Sequence, residues 1–238
     1  MTRTIYFYFL LILLPLTSIA AKNSEYDDNF YKEEGRLIFK LKGYGIFSSG
    51  TQKGFPANNQ QGNPANTGKI SNTITTGWGL EGSTIVFFND NIASELNLGL
   101  QIQNVSSTAL EKVGKGYGAN GYTSVKKGKV YGVPIGLNFQ YYPFPFGGIS
   151  PYIGAGYSAI FKFSDSKAFK LHHAHGPVLQ VGVDIIARND SIFTIEVKKY
   201  FLKDRFTYKS SFLGGNNPVK SSVKSDPWVI SAGLGIKF

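Results

Sequence analysis

The sequence predicts an all-β chain, an eight-stranded antiparallel up-and-down transmembrane β-barrel, and three observations predict it. Apolar and polar residues alternate with period 2 through eight segments, the mark of strands whose two faces meet different surroundings. The connections between those segments run long and short in strict alternation. The last alternating segment ends on an aromatic residue, Phe238.

Composition agrees with this class. The chain has 238 residues, 28 of them Gly, with 15% aromatic and 17% charged residues, where an average soluble domain has roughly 25% charged. Mean hydropathy is -0.10, far from a helical membrane protein and natural where lipid-facing and lumen-facing residues average out. Cysteine is absent, which excludes a disulfide framework and any thiolate metal site.

Residues 1–20 read as a cleaved signal peptide. Arg3 supplies the positive start, Ile5 to Leu16 the apolar run, and Ser18-Ile19-Ala20 the small residues for cleavage after Ala20 or Ala21. The apolar run is shorter than the ~20 residues of a spanning helix, and no later stretch approaches that length. The barrel domain is then 21–238, opening with a short periplasmic segment over about residues 21–34. The mature chain keeps 24 basic against 15 acidic groups. Such an exported chain meets anionic lipid phosphates more readily than nucleic acid.

The strands follow in order. In Arg36 to Phe47, Arg36, Ile38, Lys40, Lys42 and Tyr44 oppose Leu37, Phe39, Leu41 and Phe47. In Trp78 to Phe88, Glu81 and Ser83 alternate with Trp78, Leu80, Val86 and Phe88. Ile92 to Ile102 sets Glu95, Asn97 and Gln101 against Leu96, Leu98 and Leu100. Val133 to Tyr141 sets Asn138 and Gln140 against Ile135, Leu137 and Phe139. Ile153 to Phe163 sets Gly154, Gly156, Ser158 and Lys162 against Ala155, Tyr157 and Phe161. Leu179 to Ile185 sets Gln180, Gly182 and Asp184 against Val181 and Val183. Phe193 to Phe201 sets Thr194, Glu196 and Lys198 against Ile195 and Val197. Trp228 to Phe238 sets Ser231, Gly233, Gly235 and Lys237 against Ile230, Leu234 and Ile236. Each is close to the ~9–11 residues of a tilted spanning strand.

Three connections are short: Asn89-Asp90-Asn91, Pro143 to Ser150, and Ala187 to Ser191. Four are long: Ser49 to Ile74, Gln103 to Lys129, Ser164 to His175, and Lys203 to Ser225. Four outer loops and three periplasmic turns are what an up-and-down barrel with both termini in the periplasm requires. Faces that carry Lys, Glu, Asn and Gln must then point to the lumen, because the other face meets lipid. Trp78, Tyr141, Tyr152 and Trp228 fall near strand ends, at the height of an interfacial aromatic girdle.

Several pieces, in this order and spacing, are similar to the OmpW family of small outer-membrane proteins. They are Asn89-Asp90-Asn91-Ile92 into Glu95-Leu96, and Gln140-Tyr141-Tyr142 followed by Pro151-Tyr152-Ile153-Gly154-Ala155-Gly156. They continue in Gln180-Val181-Gly182-Val183-Asp184, Glu196-Val197-Lys198-Lys199, and Asp226-Pro227-Trp228 through Phe238. The resemblance covers essentially the whole mature chain. It implies a barrel with a narrow apolar channel that passes small hydrophobic molecules and releases them sideways into the membrane. The long Gly/Asn-rich first loop, Gly50 to Gly68, and the His-containing third loop depart from the family.

The candidate lumen residues are Lys40, Lys42, Glu81, Glu95, Asp184, Glu196 and Lys198. An eight-stranded barrel is only wide enough inside for side chains, so mixed-sign charges there are expected to pair and plug; an aqueous pore is the other reading. Toward the outer ends the same face carries Ile46 and Ile160, apolar above and charged below, which suits a blind apolar funnel as well as plain packing. Pro134 lacks the N–H that a ladder needs. It marks either a lateral opening in the wall or a strand that begins after it. Lys199 falls on the lipid face, where the outer rim is the expected height, or else a bulge resets the register.

Phe238 and the apolar alternation before it resemble the signal read by the outer-membrane assembly machinery; a last lipid-facing strand would also end this way. His172, His173 and His175 share one outer loop without a neighbouring carboxylate, so neither a metal site nor a catalytic triad is expected, and no cofactor is. The second loop holds Lys112, Lys115, Lys126, Lys127 and Lys129 against Glu111, a basic rim suited to acidic headgroups such as those of lipopolysaccharide. The sequence therefore points to a non-enzymatic outer-membrane barrel, a passive channel for small hydrophobic solutes. The alternative is a plugged structural or adhesive barrel whose extracellular loops bind lipopolysaccharide or host surfaces.

Overall fold

The computed structural model describes residues 35–48, 51–56, 67–71, 74–106, 128–143, 148–164, 169–186, 191–208 and 219–238. The expected signal peptide, the segment of about 21–34 and Lys112 to Lys127 of the second loop lie outside them. The strands are β1 (Leu37–Phe47), β2 (Thr51–Pro56), β3 (Thr67–Ser71), β4 (Ile74–Phe87), β5 (Ile92–Val105), β6 (Gly128–Tyr141) and β7 (Ile149–Ser164). They continue as β8 (Phe169–Leu171), β9 (Ala174–Ile186), β10 (Ser191–Tyr200), β11 (Lys203–Tyr208), β12 (Val219–Lys224) and β13 (Trp228–Lys237).

Eight of these close a barrel in the order β1-β13-β10-β9-β7-β6-β5-β4, every neighbour antiparallel. Closure falls between β1 and β13, in register from Ile38 opposite Lys237 to Phe47 opposite Trp228, and the Phe238 N–H adds a bond to the Leu37 carbonyl. A closed barrel leaves no unpaired edge, the condition for strands in hydrocarbon.

The period-2 pattern is what sorts the faces. Along β5 every second residue is buried and the others are exposed or half-buried. Leu41, Leu80, Leu96, Leu100 and Leu234 stand outward, all more than half exposed, an arrangement that water would penalise and lipid favours. The first short turn is built by Asn89, whose side-chain oxygen accepts the N–H groups of Asn91 and Ile92 at 2.9 and 2.8 Å. An Asn side chain that satisfies the backbone two and three residues ahead is a turn device.

Two expectations need correction. The first, third and fourth long connections are not plain loops, because they carry β2, β3, β8, β11 and β12, which form a second sheet in the order β3-β2-β12-β11-β8. These five strands are 3 to 6 residues long, too short to show a period against their polar surroundings. Also, β6 runs straight through Pro134 from Gly128, so the strand does not begin after the proline.

Candidate functional site: a stratified lumen

The inward residues of the eight strands stack in three layers. Nearest the short turns, Ile38, Ile85, Phe87, Ala93, Tyr142, Tyr152 and Ile192 form a buried apolar cluster. The Tyr142 ring lies 5.2 Å from Phe87 and 5.1 Å from Tyr152, within the range of favourable aromatic packing.

Above it is an ionic layer. Lys42 Nζ sits 2.8 Å from Glu81, 2.8 Å from Glu95 and 3.1 Å from Glu196. Lys198 Nζ reaches Glu81 at 2.7 Å and Glu196 at 3.2 Å, and Lys40 Nζ donates to both oxygens of Asp184 at 2.7 and 2.9 Å. Neutral donors complete the shell. Asn138, Gln140 and Gln180 donate to Glu95 Oε2 at 3.0–3.2 Å, and the Tyr152 hydroxyl donates to Glu196 at 2.9 Å. Buried charges persist only when paired and hydrogen-bonded in this way.

Glycine makes room for these long side chains. A Cβ on Gly233 would come 2.8 Å from Lys42 Cγ, and one on Gly182 would come 2.5 Å from the end of the Tyr152 ring. Inward glycines on β9 and β13 thus let Tyr and Lys lie flat against the wall.

The third layer, toward the long connections, is apolar again: Tyr44, Ile46, Ile160, Val178, Tyr200, Leu202 and Val229. These walls do not fill the section. A small pocket, with inner room for about one water, lies between Tyr44, Ile46, Ile160, Leu202 and Val229. Lys162, Asp204 and Ser225 add polar groups to its lining, and Gln101 and Pro134 reach it from β5 and β6.

The wall is altered at that height. Pairing of β5 with β6 runs from Ile92 opposite Tyr141 to Leu98 opposite Ile135, and resumes at Gln101 opposite Gly132. Gly99 and Leu100, facing Val133 and Pro134, are skipped. The Tyr44 hydroxyl, reaching from β1 over Gly79 of β4, donates to the Leu100 carbonyl at 3.3 Å.

All seven charged candidates therefore converge in one layer, and Ile46, Ile160 and Pro134 in the pocket above it. The sequence gradient of apolar above and charged below omitted the lower cluster, so the charges lie between two apolar layers. Of the expected girdle, Trp78, Tyr141 and Trp228 are exposed on the lipid side, but Tyr152 is 1% exposed and points inward. The cause is parity: β7 starts at Ile149, which is outward, so Tyr152 three residues later is inward. Lys199 stays on the outer face at the rim, its ammonium donating to the Asp226 carbonyl and lying 4.6 Å from the Trp228 ring centre. His173 packs against Phe161, His175 bonds the Tyr157 hydroxyl, and His172 bonds the Thr207 hydroxyl. No group of three His, Asp or Glu suited to a metal occurs among the described residues. The residues that sequence reasoning missed are Tyr44, Asp204 and Ser225, of which only Tyr44 lay on a face already read as inward.

The OmpW family model matches residues 33–238. A Rickettsia typhi protein named for the outer membrane is 37% identical over 215 residues, covering 90% of this chain and 88% of its own length. A Pseudomonas aeruginosa protein named for a dibenzothiophene metabolism operon is 34% identical over 125 residues, covering 51% of this chain and 57% of its own. Among solved structures, the outer membrane protein OprG of Pseudomonas aeruginosa superposes with a TM-score of 0.64 at 21% identity, covering 87% of this chain and 97% of that one.

Proposed function

The chain belongs to the OmpW family of outer-membrane barrels, and from that premise we propose that it is a passive channel for small hydrophobic molecules, which leave it sideways. The observation that carries this reading is the apolar pocket at the outer end, floored by the ionic layer and bounded at its side by the interrupted β5–β6 ladder. A molecule that reaches the pocket meets apolar walls where desolvation is favourable, at about 25 cal/mol per Å² of apolar surface buried. Below it the charges are paired and buried, so straight passage to the periplasm would require breaking ion pairs. Sideways is the cheaper exit. The skipped pairs at Gly99, Leu100, Val133 and Pro134 give a stretch of wall held by fewer ladder bonds, with the exposed Leu100 already facing lipid.

A relative named for a dibenzothiophene metabolism operon supports an apolar ring compound as the kind of solute. The ionic layer taken alone would equally serve a plugged structural or adhesive barrel whose loops bind lipopolysaccharide or host surfaces; the pocket above it is what that reading leaves without a use. The test is uptake of a small aromatic probe into liposomes with and without the reconstituted protein. Uptake above the empty-liposome rate is expected, and flux equal to that control would overturn the channel reading.

A further inference from the structure

The second sheet continues part of the barrel wall upward. β2 follows β1, β12 leads into β13, β11 follows β10 and β8 leads into β9, so the order β2-β12-β11-β8 repeats the order β1-β13-β10-β9 beneath it. Main-chain bonds carry the ladder across the junction, from the Ser225 N–H to the Leu202 carbonyl at 3.1 Å and from the Phe201 N–H to the Pro177 carbonyl at 3.0 Å. The alternation therefore runs unbroken from Ser191 to Arg205, with the odd residues outward and the even ones buried. Up that outward stripe, Phe193, Ile195 and Val197 give way to Lys199, then Phe201, then Lys203 and Arg205. The neighbouring strands climb in the same way, from Ile230 and Trp228 on β13 to Lys224 on β12, which stands opposite Lys203.

The foot of this stripe suits hydrocarbon, Trp228 marks the interface, and the cations above stand at the height of lipid headgroups. Lys199 joins the two zones. Its ammonium lies 4.6 Å from the Trp228 ring centre and donates to the Asp226 carbonyl, which uses one of its three donors. Asp226 is the one acidic residue on this face among the described residues, and its carboxylate is held by the Leu202 N–H at 3.0 Å and by Lys224 at 3.2 Å. Four cations against that one carboxylate leave an excess of three positive charges. The other half of the wall, β4 to β7, carries at the same end one outward cation, Lys129, among the described residues. We propose that the β10–β13 stripe and its extension are a docking site for an anionic lipid, with its chains along Val197, Ile195 and Ile230 and its phosphate held by Lys203, Arg205 and Lys224 above Lys199. Clustered basic residues attract anionic headgroups, and a guanidinium matches the geometry of a phosphate. The apolar stripe directly beneath the cations fits a lipid rather than a soluble anion. The site lies on the outside of the wall and needs no flux through the lumen.

The test reads the lipid beside Trp228 by fluorescence quenching, with the full protein in phosphatidylcholine liposomes. A minor fraction of the lipid has brominated chains and is either phosphatidic acid or phosphatidylcholine. Trp78→Phe leaves Trp228 as the single tryptophan. Brominated phosphatidic acid is expected to quench it as though enriched about fivefold over brominated phosphatidylcholine, the worth of one basic residue at an anionic surface. Lys203→Gln/Arg205→Gln/Lys224→Gln, all exposed and outside the lumen, should bring the two lipids close to level. A second reporter, Trp78→Phe/Trp228→Phe/Tyr131→Trp, moves the tryptophan to the lipid face of β6 across the barrel and should show no such preference. Each variant is first checked for the wild-type heat-dependent gel shift. Glycerol phosphate, a headgroup without chains, should relieve the quenching no more than sodium chloride of equal ionic strength. Equal quenching of Trp228 by the two lipids, the same preference from the β6 reporter, a preference undiminished by the triple substitution, or displacement by glycerol phosphate would overturn the proposal.

Discussion

The lower and upper halves of one lumen are built on the same period and reach opposite ends. Below, Lys40, Lys42 and Lys198 are met by Glu81, Glu95, Glu196 and Asp184, so inward side chains from opposite parts of the wall interlock as ion pairs. Above, Tyr44, Ile46, Ile160, Val178, Tyr200, Leu202 and Val229 cluster with no ion pair among them, and a small pocket remains beside Ile46, Ile160 and Val229. Side-chain length, set against a wall of fixed radius, decides whether a small barrel is closed or open at a given height. Charge decides how firmly. An apolar seal yields to an apolar molecule, whereas an ionic one yields only when its partners are replaced.

The largest effect is expected from removing the cation that most carboxylates share. Lys42→Met leaves Glu81, Glu95 and Glu196 gathered at one point with only Lys198 near enough to pair, and loss of one partner from a buried ion set costs about 3–5 kcal/mol. Urea unfolding in lipid should show that loss; a change below about 1 kcal/mol would mean the layer is not what seals the barrel. Filling the pocket instead should spare the fold and stop the flux. Ile160→Trp places a ring in the pocket that Ile160 lines with Ile46 and Val229, at an overpacking cost of about 1–3 kcal/mol. Probe uptake is expected to fall to the empty-liposome rate, and undiminished uptake in the folded variant would place the route elsewhere.

Much of this was legible from the sequence, for a reason that is itself physical. Every lumen charge predicted from alternation is inward, because a strand that faces lipid on one side cannot slip by one residue without placing Lys or Glu in hydrocarbon. What alternation does not carry is the height of one strand against another. Lys40 finds Asp184 from 144 positions away, a pairing set by the stagger of the barrel. Tyr152 is a different case, since the alternation that sets Gly154 and Gly156 inward also sets Tyr152 inward. Its distance from the strand end suggested a girdle, but the parity of β7 takes it inside to Glu196. Asp204 and Ser225 were unreadable for another reason: they come from the base of the short β11 and β12, whose register depends on the second sheet.

The smallest expected effect is at the wall between the two halves. Pro134 sits where the β5–β6 ladder lapses, just above the ionic layer, with its ring over Gly99 and the Tyr44 hydroxyl on the neighbouring Leu100 carbonyl. Proline contributes no N–H to either neighbouring strand, and a membrane strand gives up a ladder bond only at a cost. Pro134→Ala returns the donor and removes the ring that holds the strands at this spacing. Stability should change by less than about 1 kcal/mol, the net worth of one hydrogen bond, while uptake of an apolar probe should fall several-fold as the wall tightens. If uptake is unaltered with the pocket still occupied, the exit does not lie between β5 and β6. In that case the ionic layer must open after all, and Lys42, not Pro134, becomes the residue on which transport depends.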